Sequence, residues 1–226
     1  RKAKTIFVAF KLIFRLYLNR GFRITEVHCD GEFAVLQPMI QSLPKGPRVN
    51  LAAQGEHVPE IERRIRVVKE RTRAVRHSLP FSRIPKIMTI HFVLNVGRML
   101  NYFPTKAGVS TTVSPRALLD GKVLNADKHL ALQDGEYCQV HEQETPRNSD
   151  KARTQGAIAM GSTGNEQGGY KFMCLRTGKK LTRYSWDRIP MPNSVIQRVN
   201  ELGKGQPEHL TFTDRKGRLI GEVELT

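Results

Sequence analysis

The sequence predicts an α/β chain in which residues 1–125 alternate helices and strands, 126–190 form a small β-rich domain and 191–226 form a connector. Three observations carry this. Within residues 57–79, Val58, Ile61, Ile65, Val68, Thr72, Val75 and Leu79 recur at three- and four-residue steps, one face of a long helix. Upstream of it, short β-prone runs alternate with helical patterns. Downstream of residue 126 the apolar runs shorten and are separated by Gly-rich or basic turns.

The elements follow in order. In residues 4–18, Lys4, Lys11 and Arg15 punctuate an apolar run, which predicts an amphipathic, mostly buried helix. Asn19-Arg20-Gly21 ends it, with Gly21 as a left-handed cap. Residues 22–29 read as a strand, Asp30-Gly31-Glu32-Phe33 as a turn, 34–42 as a short helix and 48–53 as a second strand. Pro59 suits the first turn of the long helix. Another helix is expected over 87–102, and a short one over 113–119, where Ser114 can cap ahead of Pro115. Residues 127–140 read as an extended start to the next part, 142–149 as a polar, turn-rich stretch, and 157–160, 170–175 and 181–186 as strands of a small barrel or sandwich. Residues 161–169 hold Gly-Ser-Thr-Gly without a following Gly-Lys-Ser/Thr, so they predict a flexible hairpin connection and no phosphate loop. Tyr170 and Trp186 read as core residues. After Pro190-Met191-Pro192, residues 193–202 read as a helix, and 210–212 with 219–223 as a hairpin about Asp214-Arg215-Lys216-Gly217.

Charge narrows the partner. The formal net charge is +16 over 226 residues, which points to a polyanion, nucleic acid first. Residues 1–100 hold 19 Lys and Arg against 7 Asp and Glu, a balance of +12, while residues 101–226 hold 18 against 14, or +4. The polyanion site is therefore expected mainly in the first half. Cys29, Cys138 and Cys174 are far apart, with neither zinc spacing nor a disulfide framework, and fit a reducing compartment. The apolar run at residues 6–18 is interrupted by Lys11 and Arg15 and is shorter than the roughly 20 residues of a membrane helix, so no membrane partner is expected. The first residue is Arg, and the expectation is that the natural start lies upstream.

Two carboxylates stand out. Asp30 falls at the end of a strand and Glu62 in the first turns of the long helix. Carboxylates from different elements can hold divalent metals that activate an oxygen nucleophile and stabilise a leaving oxygen. At about 100° per residue, Arg66, Lys69, Arg73 and Arg76 fall within about 40° of Glu62 on the helix surface. Glu60 falls on the opposite flank, beside Arg64 and Arg71. Such a stripe suits phosphates, with the carboxylate at its head suiting a metal. The same pattern also reads as a solvated face with ion pairs such as Glu62 with Arg66, and an Asp before Gly is often only a turn residue. His57 reads as a loop histidine that could contact DNA, although a lone loop histidine usually has no such role.

His28-Cys29-Asp30-Gly31-Glu32-Phe33 resembles the second-aspartate motif of copia-type retrotransposon integrases, and the run from Glu62-Arg63-Arg64-Ile65-Arg66 to Arg73-Ala74 resembles that family's catalytic-glutamate helix. Downstream, Asn101-Tyr102-Phe103-Pro104-Thr105-Lys106 and Ser114-Pro115-Arg116-Ala117-Leu118 resemble the segments closing the family's core. Gly168-Gly169-Tyr170 through Trp186 resembles the β domain that follows. The resemblance implies an RNase H-like core, Mg²⁺ or Mn²⁺ held by Asp30 and Glu62, and transfer of element DNA ends into target DNA. It also implies DNA contacts by Arg63, Arg66, Lys69, Arg73 and Arg76, homo-oligomers of the full-length protein, and a nuclear or particle location. The family's first aspartate belongs on an upstream strand, and no Asp precedes Asp30 here. The expectation is thus a partial RNase H-like core without that strand, inactive as it stands. The alternative is a catalytically inactive nucleic-acid-binding remnant of a retroelement polyprotein.

Overall fold

The computed structural model describes residues 2–44, 46–52, 59–106, 108–142, 150, 152–204, 210–213 and 219–223. They form a mixed α/β structure of two compact units, residues 1–67 with 104–122, and residues 68–103 with 123–226.

The first unit opens with helix α1, Lys2–Asn19. Its end is a Schellman turn: Gly21 N–H donates to the Leu18 carbonyl and Phe22 N–H to the Tyr17 carbonyl, both at 3.0 Å, with Gly21 at φ 78°. The Tyr17 and Phe22 rings meet edge to face at 6.2 Å, the apolar contact this motif favours. The predicted burial of α1 is observed only in part, with Ala3, Ile6, Phe7, Phe10 and Phe14 half-buried along one face. Val8, Leu12, Ile13, Leu16, Tyr17 and Leu18 are exposed, so the apolar residues of α1 extend well beyond the face that is covered.

Strand β1, Glu26–Asp30, leads through a 3-10 turn, Gly31–Leu36, and helix α2, Gln37–Gln41, to strand β2, Arg48–Ala52. β1 and β2 pair in parallel, from Glu26 against Arg48 to Asp30 against Ala52. Leu36 and Ile40 are buried and anchor the crossover. The turn predicted at residues 30–33 is thus a strand end running directly into 3-10 structure, with Asp30 closing β1. Helix α3, Pro59–His77, follows β2, and the boundary between units falls within it. Helix α5, Pro115–Asp120, belongs to the first unit. Ser114 accepts a hydrogen bond from Ala117 N–H at 3.2 Å, and Gly121 ends the helix at φ 68°. Arg20 donates to the Asp120 carbonyl at 2.6 Å, linking the ends of α1 and α5.

The second unit is built on five antiparallel strands: β3 (Tyr137–His141), β4 (Thr154–Ser162), β5 (Tyr170–Cys174), β6 (Lys180–Arg183) and β7 (Trp186–Arg188). Their order is β6-β5-β4-β3-β7, a meander whose last strand returns to the free edge of the first. The sheet curls, so Trp186 of β7 stacks edge-on against Tyr170 of β5 at 4.9 Å and lies 5.9 Å from Phe172. Alternation sorts the strand residues into two cores. Cys138, Val140, Ala157, Ala159, Tyr170 and Phe172 fill the curl with Leu132. On the other face, Tyr137, Ile158, Met160 and Met173 meet Met88 and Phe92 of helix α4, Lys86–Tyr102, and Val195 and Val199 of helix α7, Asn193–Gly203. Val75 and Leu79, from the apolar face predicted for the long helix, pack against this second core.

Three expectations change here. The helix at residues 87–102, assigned by sequence to the first domain, packs on the β sheet, because Met88, Phe92 and Val96 form its one fully buried face. The helix assigned to the connector is likewise part of the core of this unit. Of the extended start expected at residues 127–140, residues 137–140 lie in strand β3, while Ala126–His129 form helix α6, joined to β3 by a short loop. Asn125 caps it by accepting from Lys128 N–H at 3.0 Å. β8, Leu210–Thr213, and β9, Leu219–Val223, pair antiparallel as the predicted hairpin, whose turn lies outside the described residues.

The connection between β4 and β5 is tied down by hydrogen bonds, in contrast to the flexible link expected. Thr163 N–H donates to the Gly169 carbonyl at 2.8 Å, and Gly169 N–H to Asn165 Oδ1 at 3.1 Å. His129, 4% exposed, holds the Asn165 carbonyl through Nε2 at 2.9 Å.

Candidate nucleic-acid interface

The parallel pair sets the position of Asp30. Its backbone is the last of β1, in register with Ala52, the last of β2, and its side chain is exposed. Two residues back, His28 lies 3.7 Å from the Glu26 carboxylate. Cys29 alternates inward, and burial, with the charge of Asp30 second, pushes its thiol pKa up. Chain order then runs from the end of β2 to α3, whose first turns carry Glu62, exposed. Asp30 and Glu62 belong to the same compact unit. Among the described residues, no group of three or more His, Cys, Asp or Glu is gathered closely enough to hold a metal ion. His57 and the Glu60 side chain lie outside the described residues.

On α3, Arg63, Arg66, Lys69, Arg73 and Arg76 are all exposed, and no ion pair engages any of them among the described residues. Arg76 and His77 close the helix, where cations oppose the negative end of the helix dipole. The apolar face behaves differently at its two ends. Ile61 and Ile65 are 54% and 48% exposed, whereas Val68, Thr72, Val75 and Leu79 are half-buried. Thr72 donates its hydroxyl to the Val68 carbonyl at 2.8 Å, so its polar atom is satisfied on that face.

A second polar group, in the other unit, was not singled out by sequence. His91, Asn95 and Arg98 stand at i, i+4 and i+7 on α4, one stripe of the helix. They lie over the end of β4. A side chain at Gly161 would meet Asn95 at 2.5 Å, and one at Gly164 would meet Arg98 at 3.2 Å. Arg98 donates to the Ser162 carbonyl. Between Ala159 and Ser162 the register against β5 shifts, a bulge opposite Lys171. Lys171 shares a sheet face with Met173, and Met173 pairs with Lys180, so both lysines project from the face that α4 covers.

Electrostatics record this crowding. His91 is pushed down to about 4 by burial and then by Lys171, Lys180 and Arg98. Lys171 is lowered by burial and then by Arg98 and Lys180. Asp134 is raised to about 6 by burial, against the opposing pull of Asn95 and Arg98. Asn95 Nδ2 donates to both of its oxygens, at 3.1 and 3.0 Å. Among the described residues, the buried Nδ1 of His91 has no hydrogen-bond partner. The spacing of His91, Asn95 and Arg98 was visible in sequence, but the lysines join them only through strand register.

No family model, curated protein or solved structure matches the chain.

Proposed function

We propose that the chain is the back part of a copia-type integrase, an RNase H-like core segment followed by a small β domain and a connector, which binds DNA and serves metal-dependent strand transfer. One observation carries this reading. The order β1, short helices, parallel β2, α3 sets Asp30 at the carboxyl end of the strand pair and Glu62 on the helix that follows its partner strand. Carboxyl ends of parallel strands are where α/β proteins gather their ligands. Support for the partner comes from the exposed cations of α3, which have the spacing and freedom to meet a phosphate backbone.

The carboxylate oxygens of Asp30 and Glu62 are the donors that Mg²⁺ or Mn²⁺ prefers. They suit such an ion in kind and fall short in number, since the described residues bring no third ligand to them. Asp30 and Glu62 would hold the ion, which when bound would polarise a phosphoryl oxygen. The α3 cations hold and orient the DNA. A non-catalytic reading, a nucleic-acid-binding remnant, rests on the same exposed α3 cations and makes no use of Asp30 or Glu62.

Fluorescence anisotropy with a labelled duplex tests the DNA reading. Replacing Arg66, Lys69, Arg73 and Arg76 by Gln is expected to weaken binding. It should also flatten the plot of log K against log salt by about 3 to 4, at roughly 0.9 per phosphate contact. An unchanged slope removes α3 as the interface. The catalytic reading requires that the frame upstream of Arg1 encode a strand bearing an Asp. It also requires that the extended protein join DNA ends with Mg²⁺ or Mn²⁺, and that Asp30→Asn or Glu62→Gln abolish joining. An upstream frame without that strand leaves the remnant reading.

A further inference from the structure

The group on α4, β5 and β6 combines features that an ordinary solvated surface lacks. Arg98 and Lys171 are half-buried, Lys180 is exposed beside them, and all three act on the same imidazole. Among the described residues, no carboxylate forms an ion pair with any of the three. Asp134, the nearby acid, is held by Asn95. Like charges gathered at a partly buried place repel one another, and the fold bears that cost unless an anion offsets it. The β-bulge opposite Lys171 and the bond from Arg98 to the Ser162 carbonyl fix where the cations stand.

We infer that Arg98, Lys171 and Lys180, with His91 beside them, form a phosphate subsite that takes a backbone phosphate of a nucleic acid. Two lysine ammonium groups supply point charges, and the Arg98 guanidinium, anchored through one nitrogen, supplies a directed donor. Asp134 stays held by Asn95 and leaves the positive field dominant. A phosphate at this place offsets the repulsion among the cations and lets His91 bind a proton at higher pH than in the free protein. The subsite lies in a different compact unit from Asp30 and Glu62. It rests on the nucleic-acid reading only for the identity of its polyanion.

The test uses the full 226-residue chain, a short fluorescein-labelled DNA duplex and, separately, inorganic phosphate. Lys171→Gln/Lys180→Gln is expected to weaken duplex binding roughly tenfold at low salt and to reduce the salt slope by about 2, with the Arg pair at the same positions retaining the slope. Lys180→Gln alone, at an exposed edge-strand position, should reduce the slope by about 1 and serves if the double variant misfolds by circular dichroism. Wild-type affinity and slope in these variants, alongside loss in the α3 variant, overturn the subsite and leave the DNA reading standing. If inorganic phosphate raises the melting temperature of wild type but not of the Gln variants while duplex binding is unaffected by them, the site takes a small anion and the nucleic-acid assignment is overturned. A wild-type chain that binds neither probe overturns both readings.

Discussion

Gly21 carries the turn out of α1 with a backbone angle that other residues adopt at a cost. A Cβ there would meet nothing within 4 Å, so Gly21→Ala isolates the conformational penalty. The expected loss is about 1 kcal/mol or slightly more, read from denaturant unfolding. Asp134 and His91 make opposite contributions to stability in overlapping pH windows. Asp134 is raised from 3.8 to about 6, so the folded state binds its proton more tightly. Its contribution is full below about 3.8 and is lost as pH rises through about 6. His91 is lowered from 6.5 to about 4, so its contribution is present above about 6.5 and is lost as pH falls toward about 4. Unfolding measured from pH 7 to pH 4 should therefore show wild type gaining on Asp134→Asn and losing to His91→Gln as the solution is acidified. Parallel curves for all three proteins would remove both groups from the account.

At the scale of elements, α4 holds the second unit together through Phe92, 1% exposed between the helix and the sheet. Phe92→Ala should cost about 3–5 kcal/mol, visible as a lowered urea midpoint. A near-neutral result would mean that α4 does not dock as described. The long helix was legible because Val68, Thr72 and Val75 keep a helical step along a half-buried face, and Val75, with Leu79 just past the helix end, packs against a core. Helix α5 was legible because Ser114 and Pro115 are local signals, and the Ser114 bond is made inside its own first turn. Local signals also located β1, β2, β4 and β5 to within a few residues, whereas residues 181–186, read as one strand, divide into β6 and β7. What the pattern could not supply was the partner of each face. Apolar periodicity says that α4 buries one side, but nothing in residues 86–102 says that the side meets Ile158 and Met173, far along the chain. The same gap led α1 to be read as buried, since amphipathic spacing records only that a helix has an apolar face. The positions of Asp30 and Glu62 on their elements were readable, whereas Lys171 and Lys180 join Arg98 only through the β5–β6 register.

Across the whole molecule, the +16 charge gives every polyanion contact a long-range electrostatic background. Changes in salt slope therefore discriminate between surfaces better than affinity at one salt concentration. Within the second unit, β7 lies beside β3 although three strands separate them in sequence. Val140 pairs with Trp186, so one edge of β3 waits for the chain to run out and back. Closing such a distant pairing is slow, because the entropy of the intervening loop is lost before the contact rewards it. A nascent chain released before Trp186 would hold the β4 and β5 hairpin but lack the ring that caps Tyr170 and Phe172. A chain ending at Ser185 should bind a hydrophobic dye and be cut rapidly by protease. If it proved as resistant as the full chain, the return strand would not be what completes the fold. This part of the protein thus becomes a finished body only late in its own synthesis, and until then its aromatic interior is open to whatever else is folding nearby.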